Sequence, residues 1–328
     1  MGNLPFETIK RKILVKRKSE TSSKYGCKPE ERSVEELIKF GVVNINKPSG
    51  PTSHQIVDYV KSILCLKKAG HSGTLDPKVT GCLPTALDKA TRVVQVLLTA
   101  GKEYVCLMYL HKEVEKKKIE EGFVKFSGEI TQLPPVRSAV KREERKREIY
   151  YTEILEFDGQ HVLFKIGCEA GTYIRKFVHD LGKSLGCGAH MAQLVRTKAG
   201  PFSEDSLVSL HDLHDAYTLW KEGDENAIKK VIFPFENAVG HLGKIWAADG
   251  AVDPLCHGAD LYAVGVVQLD DSIQKGDLVA VFTLKNELIC IGNADLGSEE
   301  IVKSEKGVAV KTSKVFMDRG IYKFQNIG

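Results

Sequence analysis

The sequence predicts an α/β chain of the α+β type: a larger domain on a mixed sheet, followed by a small β-barrel. Three observations carry this. From about residue 36 to residue 240, strand-like and helix-like segments interleave irregularly, with no repeating βαβ rhythm and no glycine-rich phosphate loop. A boundary falls at Gly240–Gly243, and beyond it short β-like runs (Leu261–Val267, Leu278–Leu284, Leu288–Gly292, Gly307–Val310) are separated by Gly, Asp and Lys. Finally, 328 residues suffice for two separately buried cores.

In chain order, residues 1–35 are polar and basic and read as an extension with little core of its own. Gly41–Asn46 reads as a strand, and Lys47-Pro48-Ser49-Gly50-Pro51 as a rigid turn. Ser53 is the expected N-cap of a helix whose Ile56, Val57, Val60, Ile63 and Leu64 share one face. A short helix is expected from about Lys89 to Leu98. Lys102–Leu110 is apolar on both faces, as in a doubly covered strand. Strands near Tyr151–Phe157 and His161–Cys168 flank Asp158-Gly159, a hairpin signal. Gly171-Thr172 then opens a helix with Ile174, Phe177, Val178, Leu181 and Leu185 on its stripe.

Composition excludes several classes of function. No apolar run approaches the roughly 18 residues of a membrane span. The basic N-terminal clusters, with only Ile13-Leu14-Val15 between them, do not form a signal peptide. The eight cysteines include no Cys-x-x-Cys pair, which argues against a zinc ribbon or a thioredoxin-type site and fits a reducing, cytoplasmic setting.

The densest punctuation is Gly70-His71-Ser72-Gly73-Thr74-Leu75-Asp76-Pro77-Lys78-Val79-Thr80-Gly81. Pro77 fixes its own φ and biases Asp76 away from helical backbone, while the glycines allow close approach of another chain or a ligand. Asp76 therefore sits on a stiffened loop and can be aimed at a ligand; an ordinary Asp-Pro turn is the alternative. An Asp is ionised at neutral pH, and where water is excluded it needs a cationic partner. Arg175 fits that need. It lies in the first turn of its helix, off the apolar stripe, where the helix dipole disfavours a cation. By position alone a surface arginine fits equally well. By position alone Tyr104 on its doubly covered strand reads more commonly as a packed core aromatic, and His71 as a satisfied loop histidine.

The loop resembles the signature of the TruB/dyskerin family of RNA pseudouridine synthases, and the likeness spans roughly residues 36–322. It implies a pseudouridine synthase catalytic domain over 36–240 and a PUA RNA-binding domain over 243–322. It implies that Asp76 is catalytic, that Arg175 in Gly171-Thr172-Tyr173-Ile174-Arg175 pairs with it, and that Tyr104 in Lys102-Glu103-Tyr104 stacks on the target base. His71 would help extrude the uridine, Leu194 would pack against the target, and Tyr173 belongs to the same RNA-contacting set. Lys47, Pro48 and Gly73 would support the site. The reaction breaks N1–C1′ of uridine and rejoins the ring through C5, so neither cofactor nor metal is expected. The base must leave its stack to be reached.

Charge distribution adds detail. Residues 1–32 carry nine Lys/Arg against four Asp/Glu, whereas Gly243 onward carries nine against twelve. A polyanion would meet the N-terminal two thirds first. Pro134-Pro135-Val136-Arg137-Ser138-Ala139-Val140-Lys141-Arg142 is similar to the thumb loop of the dyskerin branch, the catalytic subunit of H/ACA ribonucleoproteins. A thumb over about 134–150 would place Arg137, Lys141, Arg142 and Arg145 on RNA phosphates; an exposed charged hairpin is the alternative. His257-Gly258-Ala259-Asp260-Leu261 and Lys275–Val281 carry the PUA likeness, though Val264 stands where that module usually has proline. With no long Lys/Glu-rich tail, the chain looks like an archaeal member. The implied partners are a box H/ACA guide RNA, ribosomal RNA (with tRNA as a further substrate) and small accessory proteins. A standalone synthase acting on the tRNA TΨC loop, and a non-catalytic RNA-binding scaffold, are the competing readings.

Overall fold

The structure, a computed structural model, describes residues 2–134, 141 and 143–322. Two compact units divide it: residues up to Thr8 with Val42–Ile232, and Ile9–Gly41 with the chain from Phe233 onward.

The N-terminal segment holds helix α1 (Pro5–Thr8), strand β1 (Ile13–Val15) and helix α2 (Val34–Lys39). In the first unit follow β2 (Gly41–Lys47), α3 (Ser53–Ile63), β3 (Ala69–His71), β4 (Thr80–Leu87), α4 (Val94–Thr99), β5 (Lys102–Leu110) and α5 (Lys116–Lys125). Next come β6 (Gly128–Gln132), β7 (Arg145–Asp158), β8 (His161–Cys168), α6 (Ile174–Ser184), β9 (Ala189–Ala199), β10 (Phe202–Ser203), α7 (Leu210–Lys221) and α8 (Asn226–Val231).

The sheet of this unit runs β2-β4-β9-β5-β8-β7-β6, with β3 on β4 and β10 on β9. β4 and β9 pair in parallel, whereas β5 is antiparallel to both β8 and β9. The sheet is therefore mixed, and β5 lies at its middle as expected, but it is not doubly covered: Cys106, Met108 and Leu110 are buried, whereas Val105, Leu107 and Tyr109 on the other face are half-buried. Helix α6 turns Ile174, Phe177, Val178 and Leu181 into the core.

Local chemistry explains several departures from expectation. Thr52, not Ser53, caps α3: its hydroxyl accepts from Gln55 N while Gln55 reaches back, a complete capping box. Ser53 is left free for another task. Helix α6 begins at Ile174 rather than at Gly171-Thr172, because the Thr172 hydroxyl donates back to Glu169 O at 2.7 Å and closes a turn. A 3₁₀ turn over Asp88–Val93 precedes α4. Arg145–Tyr150, expected within the thumb, is paired strand, with Arg145 opposite Gln132. Alternation at Arg145, Arg147 and Ile149 was the signal, hidden by the density of charge.

In the second unit, β11 (Phe233–Pro234), β12 (Gly243–Ala247), α9 (Asp249–Cys256), β13 (Leu261–Tyr262), β14 (Val266–Asp270), β15 (Leu278–Phe282), β16 (Leu288–Ala294), α10 (Ser298–Lys303) and β17 (Val308–Val315) follow in order. Its seven-stranded sheet runs β1-β14-β12-β15-β16-β17-β13 around one apolar core that includes Ile245, Leu269, Val281 and Ile289. Register shifts in β12, β13, β15 and β16 bend the strands around that core. Gly292 sits at one of them, where a Cβ would lie 2.3 Å from Lys311 O.

The basic N-terminal segment puts few side chains into a core, but it is tied down. Strand β1 pairs with β14. Arg32 makes a two-pronged ion pair with Glu236 at 2.7 and 2.8 Å, and the Arg11 guanidinium bonds His241 O at 2.9 Å. These cations are already engaged within the protein.

Candidate active site

The punctuated loop connects β3 to β4 and is fastened from three sides. Lys47, fully buried at the end of β2, donates to the carbonyls of Pro48, Pro77 and Val79 at 2.9, 3.0 and 2.9 Å. Three carbonyls match the three N–H groups of an ammonium, so the side chain acts as a polar clasp that ties the C-terminal flank of Asp76 to the Lys47-Pro48 turn. Burial lowers its pKa. Pro77 O also accepts from Gly50 N at 2.9 Å, which ties the Lys47-Pro48 turn to the same loop. Ser53, freed from capping, accepts from Leu75 N at 2.9 Å and donates to Leu75 O at 3.1 Å. The third fastening is Arg196 of β9. Its Nε donates to Cys82 O at 2.7 Å and its Nη2 to Gly73 O at 3.3 Å. Gly73 and Gly81 hold positive φ, and a Cβ on Gly81 would stand 2.2 Å from Arg196 O.

From this frame Asp76 projects outward, and its Oδ2 accepts from Nη2 of Arg175 in the first turn of α6. Both side chains are more than half exposed (53% and 56%). A pair that open adds only about 0–1 kcal/mol to stability.

Tyr104 lies on β5 directly across from Arg196, two residues from the Cys106–Leu194 pair. It is half-buried, and burial pushes its phenol up while Arg196 opposes that shift. Arg196 thus joins the loop, through Gly73, to the tyrosine strand. Leu194 is 9% exposed. The start of β5 is fixed by Lys102, whose Nζ donates to Leu97 O, Leu98 O and Ala100 O at 3.0, 2.9 and 2.6 Å, closing the end of α4. Burial, with the Arg196 charge adding, pushes Lys102 down to about 7. Glu103 faces the other side and accepts from Thr197 Oγ1 at 2.7 Å and from the Tyr151 hydroxyl.

His71 ends β3, and its Nδ1 accepts from Gly73 N at 3.3 Å, so the proton of the neutral ring belongs on Nε2. His54 stands edge-on to it, with ring centroids 5.1 Å apart. Burial, then His54, then Arg196 push His71 down to about 4. We expect the His71 ring to stay neutral from pH 8 to about 5. NMR titration of the ring should find its midpoint near 4; a midpoint near the ordinary value of about 6.5 would contradict it. Because the folded value is the depressed one, this group costs stability as pH falls through the interval from 6.5 to 4.

Tyr173 precedes Ile174 at the start of α6, its backbone held by Gln132 of β6. Pro48 is exposed, and its carbonyl serves Lys47. Of the basic thumb residues, Lys141 is exposed and paired with Glu143, and Arg145 opens β7. Arg137 and Arg142 lie outside the described residues. Sequence reasoning missed Arg196, Lys102 as a carbonyl clasp, and Gln132.

Comparison with known proteins finds relatives over nearly the whole chain. Residues 61–174 match the N-terminal domain of TruB family pseudouridylate synthase, 175–240 the C-terminal domain of tRNA pseudouridylate synthase B, 243–316 the PUA domain, and 3–57 the DKCLD domain. A probable tRNA pseudouridine synthase B of Pyrococcus abyssi is 56% identical over 96% of this chain and 95% of that one. One from Methanopyrus kandleri is 52% identical over 97% and 94%. A chain in the crystal structure of a Cbf5-Nop10-Gar1 complex superposes with a TM-score of 0.93 at 53% identity, covering 98% of this chain and 99% of that one. A chain in the structure of an H/ACA ribonucleoprotein bound to a substrate RNA containing 2'-deoxyuridine gives 0.91 at 51%, with coverage of 98% and 99%. No helix among the described residues is long and apolar enough to cross a membrane. With its loop, its carboxylate–guanidinium pair and these matches over nearly its full length, the chain belongs to the TruB/dyskerin family of RNA pseudouridine synthases.

Proposed function

We propose that this enzyme is the catalytic subunit of an H/ACA ribonucleoprotein and isomerises guide-selected uridines, chiefly in ribosomal RNA. The observation that carries the reading is the full-length match, N-terminal segment included, to a chain that assembles with Nop10 and Gar1. On this reading the box H/ACA guide RNA and small proteins of those two kinds are its partners, and the PUA unit holds the ACA end of the guide.

Each residue then takes a role that its surroundings support. The uridine is flipped from its stack, with His71, a neutral ring, taking the vacated space. Its uracil stacks on Tyr104, a contact worth about 1–3 kcal/mol, and packs beside Leu194. A phenol pushed up by burial stays protonated, which suits a platform better than a free base. Asp76, aimed by the clasped loop and paired with Arg175, acts on the ribose or the uracil ring. The N1–C1′ bond breaks, the uracil turns, C5–C1′ forms, C5 loses its proton and N1 gains one, so product is an isomer of substrate. Tyr173 and the basic residues Arg137, Lys141, Arg142 and Arg145 contact the RNA backbone, and Lys47, Pro48 and Gly73 hold the loop.

The curated relatives are named for tRNA, and that observation favours a second reading, a standalone synthase for the TΨC loop. The deciding experiment measures pseudouridine on a tRNA transcript with protein alone, and on a matched target with guide RNA and the accessory proteins. Product confined to the guided reaction supports the first reading. Efficient guide-free modification of the tRNA replaces it with the second.

A further inference from the structure

We infer that Gln132 is a positioning residue for the reaction, holding Arg175, and through it Asp76, in the reactive arrangement. The inference rests on the reading of Asp76 and Arg175 given above.

Helix α6 has no side chain of its own capping its N-terminus. The carboxamide of Gln132, only 2% exposed at the end of β6, takes over that task from outside the helix. Its Oε1 accepts from Tyr173 N at 3.0 Å and its Nε2 donates to Tyr173 O at 3.2 Å. A backbone N–H can only donate and a carbonyl can only accept, so these partners fix which way the amide points. Tyr173 O also receives Phe177 N at 2.9 Å and Lys176 N at 3.0 Å, which makes this peptide the start of the helix. Arg175 is two residues further on, with its guanidinium on Asp76.

The logic of the site requires such a brace. A cation in a helical first turn works against the dipole, and the exposed ion pair is too weak to hold the geometry. The loop that carries Asp76 is fastened by Lys47, Ser53 and Arg196. On the other side of the pair, the Gln132 side chain pins Tyr173, the residue that opens the helix carrying Arg175. Loss of the pin leaves both charges in place and frees their relative position. Misplacement by about 1 Å can cost a reaction about 100-fold.

Two variants in the assembled guide ribonucleoprotein test this by single-turnover pseudouridine formation. Gln132→Met keeps the volume and removes both hydrogen bonds. We expect a rate about 10- to 100-fold lower, with substrate-RNA affinity within twofold. Gln132→Glu supplies the readout that a merely structural role would not move. An ionised carboxylate accepts from Tyr173 N and repels Tyr173 O, whereas a protonated carboxyl offers one donor and one acceptor as the amide does. Burial raises the pKa of that carboxyl. The rate of Gln132→Glu relative to the native enzyme should therefore climb toward one as pH falls from about 8.5 to about 5.5. A pH-independent ratio, or a native rate in Gln132→Met, overturns the inference. Asp76→Asn is the control: if it retains activity, the reading of the site fails; if it is inactive while Gln132→Met runs at the native rate, only the present inference fails.

Discussion

Asp76→Asn is expected to abolish pseudouridine formation, a loss of at least about 10⁴-fold, while leaving the fold and RNA binding almost unchanged. The substitution keeps size and shape and removes the charge. It also breaks the pairing with Arg175, but both side chains are more than half exposed, so the stability change should stay within about 1 kcal/mol. The loop survives because its supports do not involve the carboxylate. They are Lys47 on the carbonyls of Pro48, Pro77 and Val79, Ser53 on Leu75, and Arg196 on Gly73 O. Three measurements separate chemistry from binding and folding: single-turnover product, RNA affinity and thermal unfolding. Loss of RNA affinity in step with activity would mean that Asp76 is a binding residue. Turnover within tenfold of native would remove it from the reaction.

What could be read from the chain, and what could not, follows from the range of the interactions. Asp76 was legible because its setting is local: Pro77 and the flanking glycines announce a stiff loop by composition alone. Arg175 was legible because a first-turn cation calls for a partner, and Asp76 is indeed its partner. Lys47 was read from resemblance as support, but its means of support was not visible. Its three acceptors come from two turns, one of them beginning 30 residues beyond Lys47 at Pro77, brought together by the antiparallel pairing of β2 with β4. Lys102 and Gln132 were hidden for the same reason, since each satisfies backbone groups of a different element. Arg196 was the least legible of all. In Leu194-Val195-Arg196-Thr197 it reads as one polar residue in an alternating strand, yet it is 1% exposed. At Arg145–Arg147 the charge density suits a loop as well as a strand, and the structure makes it paired strand. The core elements carried stronger signals: two-faced β5 lies at the centre of its sheet, and the stripe of α6 is buried.

Removing Arg196 should damage the reaction more than the fold. In Arg196→Met two opposing effects meet. The carbonyls of Cys82 and Gly73 lose their donor; the buried Cys82 carbonyl left unpaired costs about 1–3 kcal/mol and the half-buried Gly73 carbonyl less. Against this, a guanidinium that pays heavily for desolvation is replaced by an apolar chain of similar length. The net loss should be about 1–3 kcal/mol, or roughly 2–12 °C in the unfolding midpoint of a unit this size. Activity has no such compensation. Arg196 sits on the strand paired with β5, directly across from Tyr104, and its side chain reaches the Asp76 loop at Gly73 O. Without it the loop and the stacking platform are positioned independently, and the single-turnover rate should fall about 100-fold. His71 reports the same event from within the loop. Arg196 is one of the charges that hold its pKa down, so the imidazole midpoint should rise above about 4 in the variant, while burial, the larger cause, keeps it below the ordinary value. An unchanged His71 midpoint together with a native rate would show that the loop is aimed by Lys47 and Ser53 alone. A raised midpoint with a collapsed rate would identify Arg196 as the link between the carboxylate and the aromatic platform.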